Sequence, residues 1–79
     1  MQNNYFQTSD FPLATTLASL GFQIESLDRT SARVEFCFEN TQELNEAVQA
    51  FWRGNEIKVD PQVFVMNQKL IKSRLYSEK

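Results

Sequence analysis

Residues 22–40, FQIESLDRTSARVEFCFEN, decide the fold. Phe22 and Ile24 alternate with Gln23 and Glu25, and Ala32, Val34, Phe36 and Phe38 alternate with Arg33, Glu35, Cys37 and Glu39. Successive side chains of a strand point to opposite faces of a sheet. The spacing therefore predicts a β-hairpin, turning near Asp28-Arg29-Thr30-Ser31, with one apolar face and one polar face. Cys37 is expected on the polar face, beside Arg33 and Glu35.

On either side of the hairpin the period lengthens to that of a helix. Upstream, YFQTSDFPLATTLASLGF (5–22) reads as a short extended entry and then a helix capped by Ser9 or Asp10, with Pro12 in its first turn. Leu13, Leu17 and Leu20, flanked by Ala14 and Ala18, form one apolar stripe, and Gly21 ends the helix. Downstream, a helix starts at Asn40 or Thr41, with Glu43 in the position of a capping box three residues after Asn40. Leu44, Ala47, Val48, Phe51 and Trp52 form its buried stripe, and Gly54 closes it. Ile57 and Val59 predict a short edge strand in NEIKV (55–59). Asp60-Pro61 then starts a last helix, running from about Pro61 to Tyr76. The expected fold is α+β, a small antiparallel sheet in the order β-α-β-β-α-(β)-α with helices packed on one face. Residues 1–79 are read as a single domain with an ordered core from about 5 to 76.

Size and composition bound the chemistry. Seventy-nine residues lie near the lower limit for a domain that folds without a disulfide or metal framework. An apolar content of 42%, including seven Phe, one Trp and two Tyr, is enough for a core. Residues 1–52 hold seven acids and two bases, a net of −5; residues 53–79 hold six bases and three acids, a net of +3; together these make the overall −2. Any basic surface must come from the C-terminal third. One cysteine precludes an internal disulfide. The opening MQNNYFQTSD has neither the basic nor the apolar region of a signal peptide, and no apolar run approaches a membrane span. The expected setting is cytoplasmic, with no membrane association.

The chain has no histidine, which removes the commonest general base and metal ligand and any Ser-His or Cys-His pair. Two glycines cannot make a dinucleotide fingerprint or a P-loop. Glu39, Glu43 and Glu46 could hold Mg²⁺, but acids beside a helix N-terminus are explained by the helix dipole. Arg33 near Cys37 could activate the thiol, against which stands the ordinary inert cysteine. No catalytic residue, cofactor site or metal site is assigned, and the protein is expected not to be an enzyme.

The last helix is the most informative element. Taking 100° per residue from Phe64, Ile71 and Leu75 lie within about 20° of it and form one ridge. Val63, Met66 and Leu70 cluster in a second apolar sector about 100–160° away. Lys69, Lys72 and Tyr76 occupy the opposite side with Val65, while Asn67 and Arg74 sit between the two apolar sectors. Either both sectors are buried, the first helix closing over Met66 and Leu70, or the second sector is a self-association or partner surface. The Lys69-Lys72-Tyr76 side, with Arg74, Lys79 and Arg53 near it, is the one candidate for phosphate contact, although so few cations suit any solvated helix face. The corner FWRGNEIKVDPQVF (51–64), with Trp52 and Arg53 as possible jaws, reads as architecture, because each residue except Arg53 has a structural task.

TSDFPLATTLASLGF, RVEFCFEN, AFWRG and VDPQVFVMNQKLIKSRLY together resemble a family of small bacterial, cyanobacterial and phage-associated domains without an assigned function. Here the recurring pieces are Phe6 with Thr8-Ser9-Asp10, Gly21-Phe22, Phe36 and Phe38, Phe51-Trp52-Arg53-Gly54, and Lys72 to Tyr76. The resemblance spans about Phe6 to Tyr76 and brings no catalytic residue or ligand. It marks Thr8, Ser9, Asp10, Trp52, Arg53, Lys72, Arg74 and Tyr76 as the positions where a site would lie. The expectation is a non-catalytic interaction or self-association module acting through Val63, Met66 and Leu70. The alternative is a small nucleic-acid-binding or regulatory domain using Lys69, Lys72, Arg74, Tyr76 and Arg53.

Overall fold

The computed structural model describes residues 4–30 and 32–77. The chain runs β1 (Tyr5–Thr8), α1 (Phe11–Ser19), β2 (Ile24–Asp28), β3 (Glu35–Glu39), α2 (Gln42–Arg53) and α3 (Pro61–Ser77). The strands form one antiparallel sheet in the order β1-β3-β2, so the fold is α+β. β3, whose alternation is the clearest in the sequence, is the central strand. Phe36 pairs with Thr8 and Leu27, and Phe38 pairs with Phe6 and Ile24.

Each helix begins where a side chain satisfies a free backbone N–H. The Asp10 carboxylate accepts from the Leu13 N–H at 2.9 Å, and the Thr41 hydroxyl accepts from the Leu44 N–H at 3.1 Å. Asp60 accepts from the Gln62 N–H at 2.8 Å. Thr41 caps α2 directly, so Glu43 is not the third residue of a capping box; Asn40 instead accepts from the Asn45 amide at 2.8 Å. Both α1 and α2 end in the same doubled hydrogen-bond pattern. Phe22 N–H reaches Leu17 O and Gly21 N–H reaches Ala18 O; Asn55 N–H reaches Ala50 O and Gly54 N–H reaches Phe51 O. The motif needs a residue at positive φ, supplied by Gly21 at 107° and Gly54 at 73°.

The core joins Leu13, Ala14 and Leu17 of α1, Phe36 and Phe38 of β3, Leu44 and Val48 of α2 and Ile71 of α3. α1 packs against α2, α3 and β1. It is consequently buried well beyond its leucine stripe: Thr15 and Thr16 are buried too, their hydroxyls donating to Phe11 O at 2.9 Å and Pro12 O at 2.8 Å. A threonine whose hydroxyl is satisfied by its own helix fits where an unsatisfied polar group would not. Leu20, the last residue of the expected stripe, is instead 38% exposed, because it lies at the cap beyond the packed turns.

Four expectations are corrected. Residues 55–60 form no strand; Ile57 and Val59 are half-buried in an irregular connection. Phe22 belongs to the α1 cap and precedes β2, and Ala32 and Val34 precede β3. A bulge between Ile24 and Ser26 resets the alternation, so that Leu27 rather than Ser26 faces Phe36. Finally, Cys37 is buried at 5% exposure, although it points away from Phe36 and Phe38. A central strand has neighbours on both sides, and Gln7 of β1 donates to the Cys37 sulfur at 3.2 Å. The turn expected at residues 28–31 is anchored by Asp28; its fourth residue, Ser31, lies outside the described residues.

Candidate functional site

α3 divides as its periodicity predicts, and the two sectors meet different fates. Ile71 is buried, with Phe64 and Leu75 half-buried beside it. In the second sector Val63 is half-buried, whereas Met66 and Leu70 are 53% and 55% exposed, so α1 does not close over them. Val65, at 45%, continues the exposed apolar surface. On that side stand Lys69, Lys72 and Tyr76, all exposed.

The expected cations do not all converge. Lys72 Nζ lies 5.9 Å from the centre of the Phe11 ring, near the outer limit of a cation–π contact. Arg74 is half-buried on the other side of the helix and lines a groove with Leu70 and Ile71. Arg53 belongs to the last turn of α2, where its guanidinium donates to Gln49 at 3.3 Å. Lys79 lies outside the described residues.

The groove beside α3 has a volume of about 480 Å³ and runs between the end of α1, the start of β2 and one side of α3. Ala18, Phe22, Ile24 and Leu70 give it an apolar floor, with Asn67, Ser73 and Arg74 at its margin. Its volume falls within the range of small-ligand sites, and it is suited to an apolar group carrying a polar end. Among the described residues no carboxylate or thiol lines it. Sequence periodicity places Asn67 and Arg74 between the apolar sectors, but marks Ala18 and Gln23 only as members of their own helix and strand patterns, and does not single out Ser73. They enter only because a turn after α1 brings β2 alongside α3.

The corner at 51–54 is not a pair of jaws. Trp52 stacks edge-on against Phe51, with ring centres 5.3 Å apart and planes at 83°, and is 61% exposed rather than part of the buried stripe. Thr8 accepts from the Asp10 N–H at 3.1 Å, and Asp10 caps α1, so both are engaged in starting that helix. Glu43 and Glu46 are exposed on α2, where Gln42 donates to Glu46 at 3.3 Å. Among the described residues no group of three or more Asp, Glu, Cys or His side chains is gathered to share a metal ion. Among them, too, no helix is long and apolar enough to cross a membrane.

One carboxylate is electrostatically distinctive. Asp28, at the end of β2, accepts from the Thr30 hydroxyl at 2.6 Å and the Thr30 N–H at 2.9 Å, and from Gln7 at 3.3 Å. The Thr30 hydroxyl, then the Thr30 amide, hold its pKa below the ordinary value; desolvation opposes them, and Gln7 adds the weakest contribution in their direction. The adjacent Arg29 donates to the carbonyls of Arg74 at 3.3 Å and Leu75 at 3.1 Å, tying the hairpin to the last turns of α3. A cation there also complements the negative end of the helix.

No curated protein and no solved structure matches the chain. A family does match, over residues 3–77, which is nearly the whole length and includes every element described above. The chain belongs to the family described as domain of unknown function DUF5659.

Proposed function

We propose that this domain is a non-catalytic interaction module that binds another protein or a second copy of itself through the outer side of α3. The observation that carries the reading is the exposure of Met66 and Leu70, 53% and 55%, on the helix that also supplies Ile71 to the core. Exposed apolar residues occurring singly are ordinary, whereas contiguous ones on one element mark contact surfaces. Met66 and Leu70 are contiguous in this sense, being four positions apart on a helix, and Val65 lines a shallow depression together with Met66.

Sedimentation equilibrium over a wide concentration range tests self-association. The expected result is a mass that rises with concentration and falls back to the monomer in Met66→Gln/Leu70→Gln. A strict monomer at every concentration overturns that version. A second reading, a small nucleic-acid-binding domain, draws on Lys69, Lys72 and Tyr76 sharing a side of α3. Two cations and one ring are a small footprint for phosphate binding. Titration with single- and double-stranded DNA at low ionic strength decides it, since phosphate attraction is strongest there; no binding overturns it.

A further inference from the structure

We infer that the partner of the α3 surface is the open face of the β-sheet on a second copy of this chain, held head to tail by opposite charge. The inference rests on the self-association form of the reading above and names the surface that α3 meets.

Two features of the molecule converge on it. Residues 61–77 carry Lys69, Lys72 and Arg74 and no acid. A symmetric dimer that laid α3 against α3 would therefore bring cations together, and like charges across an interface oppose association. An acidic, partly apolar partner suits α3 instead, and the chain has such a surface. Its three strands, YFQT, IESLD and EFCFE, contain no Lys or Arg. The register puts Tyr5 beside Glu39 and Asp28 beside Glu35 on the face opposite Phe36 and Phe38. Glu25, the extra residue of the bulge, joins Tyr5 and Glu39 around a shallow depression with Asn4 and Asn40. Tyr5 is 51% exposed among these carboxylates. It offers an apolar ring to Met66, while Glu25 and Glu39 face Lys69, three positions along from Met66 on the same side of α3, and Lys72 one turn beyond it. Thioether–aromatic contact and peripheral ion pairs are the interactions such surfaces would make.

The dimensions agree. Seventeen helical residues span about 25 Å and a helix is about 10 Å wide. Three strands of four or five residues make a surface of about 15 by 14 Å. One helix thus covers about two thirds of the sheet's width and extends beyond its strands lengthwise. The footprint is smaller than the roughly 800 Å² per partner of a standard stable interface, so the association is weak and depends on concentration and salt. Because the two surfaces differ, one contact leaves a free α3 and a free sheet at its ends, so the assembly closes by a reciprocal two-fold exchange or as a ring, or else extends to further copies.

The test is sedimentation velocity on the whole chain, at about 0.02 M and about 0.5 M salt. It compares the natural sequence, the helix variant Lys69→Glu/Lys72→Glu, the sheet variant Glu25→Lys/Glu39→Lys, and an equimolar mixture of the variants. All four positions are exposed, and far-UV circular dichroism checks folding; if the double sheet variant does not fold, Glu39→Lys alone replaces it. The expected result is association that weakens at least about tenfold at high salt. Each variant alone associates at least about tenfold less than the natural chain, and the mixture recovers because every contact again pairs opposite charges. A monomeric natural chain overturns both this inference and self-association. A natural chain that associates, beside a sheet variant that associates equally well, overturns the inference and leaves the self-association reading standing. Loss in each variant with no recovery on mixing overturns the charge pairing.

Discussion

Leu44 and Leu70 carry the same side chain in opposite surroundings, and truncating each to alanine measures whether the outer side of α3 is open. Leu44 is 0% exposed in the shared core and Leu70 is 55% exposed. Removing a fully buried leucine costs about 2–5 kcal/mol, the lost transfer energy plus a cavity that cannot collapse fully. Leu70 leaves no closed cavity and loses only the transfer energy of its covered part. Fully burying a leucine is worth about 1.5–3 kcal/mol, so covering a little under half of one gives about 1 kcal/mol. Alanine's slightly better helix propensity reduces this further. The gap between the variants should be about 1–4 kcal/mol. A domain of 79 residues has a total stability of about 4–12 kcal/mol, so Leu44→Ala removes a large fraction of it and Leu70→Ala does not. Urea denaturation followed by circular dichroism at low protein concentration reads this directly. Fluorescence is the poorer probe, because Trp52 is already largely exposed in the folded state. Equal losses in the two variants would refute the assignment of Leu70 to an open surface, and with it the proposed contact site.

Two further outcomes follow from the termini and the hairpin. Gly54→Ala should cost about 1–2 kcal/mol in denaturant titration, because a side chain at φ 73° is strained even though nothing lies within 4 Å of the added carbon; a neutral substitution would contradict the left-handed cap. Asp28 should titrate by NMR below the ordinary aspartate value, and Thr30→Ala should raise its midpoint. A depressed folded-state pKa means that the Asp28 contribution is present above the unfolded value of about 3.9 and is lost as pH falls through the lower folded value. Loosening of the β2–β3 turn should accordingly be confined to acid, and a normal midpoint in the natural chain would remove the effect.

Sequence alone determined the elements wherever local chemistry suffices. Asp10, Thr41, Gly21, Gly54 and Asp60-Pro61 act within a turn or two of their own positions, so helix limits can be read from them. The alternation of Phe36 and Phe38 likewise marks a strand with one apolar face, and the angular split of α3 into two sectors follows from 3.6 residues per turn. Tertiary structure decided which of those sectors is covered, because periodicity records that Met66 and Leu70 share a side of the helix but not whether another element reaches them. It also decided the burial of Cys37, which follows from strand order β1-β3-β2 and the reach of Gln7, and the exposure of Trp52 at the edge of a stripe that α1 only partly covers. Strand order, the bulge at Glu25 and the meeting of β2 with α3 are long-range events. They depend on which surfaces can be buried together, and no short stretch of residues contains that information.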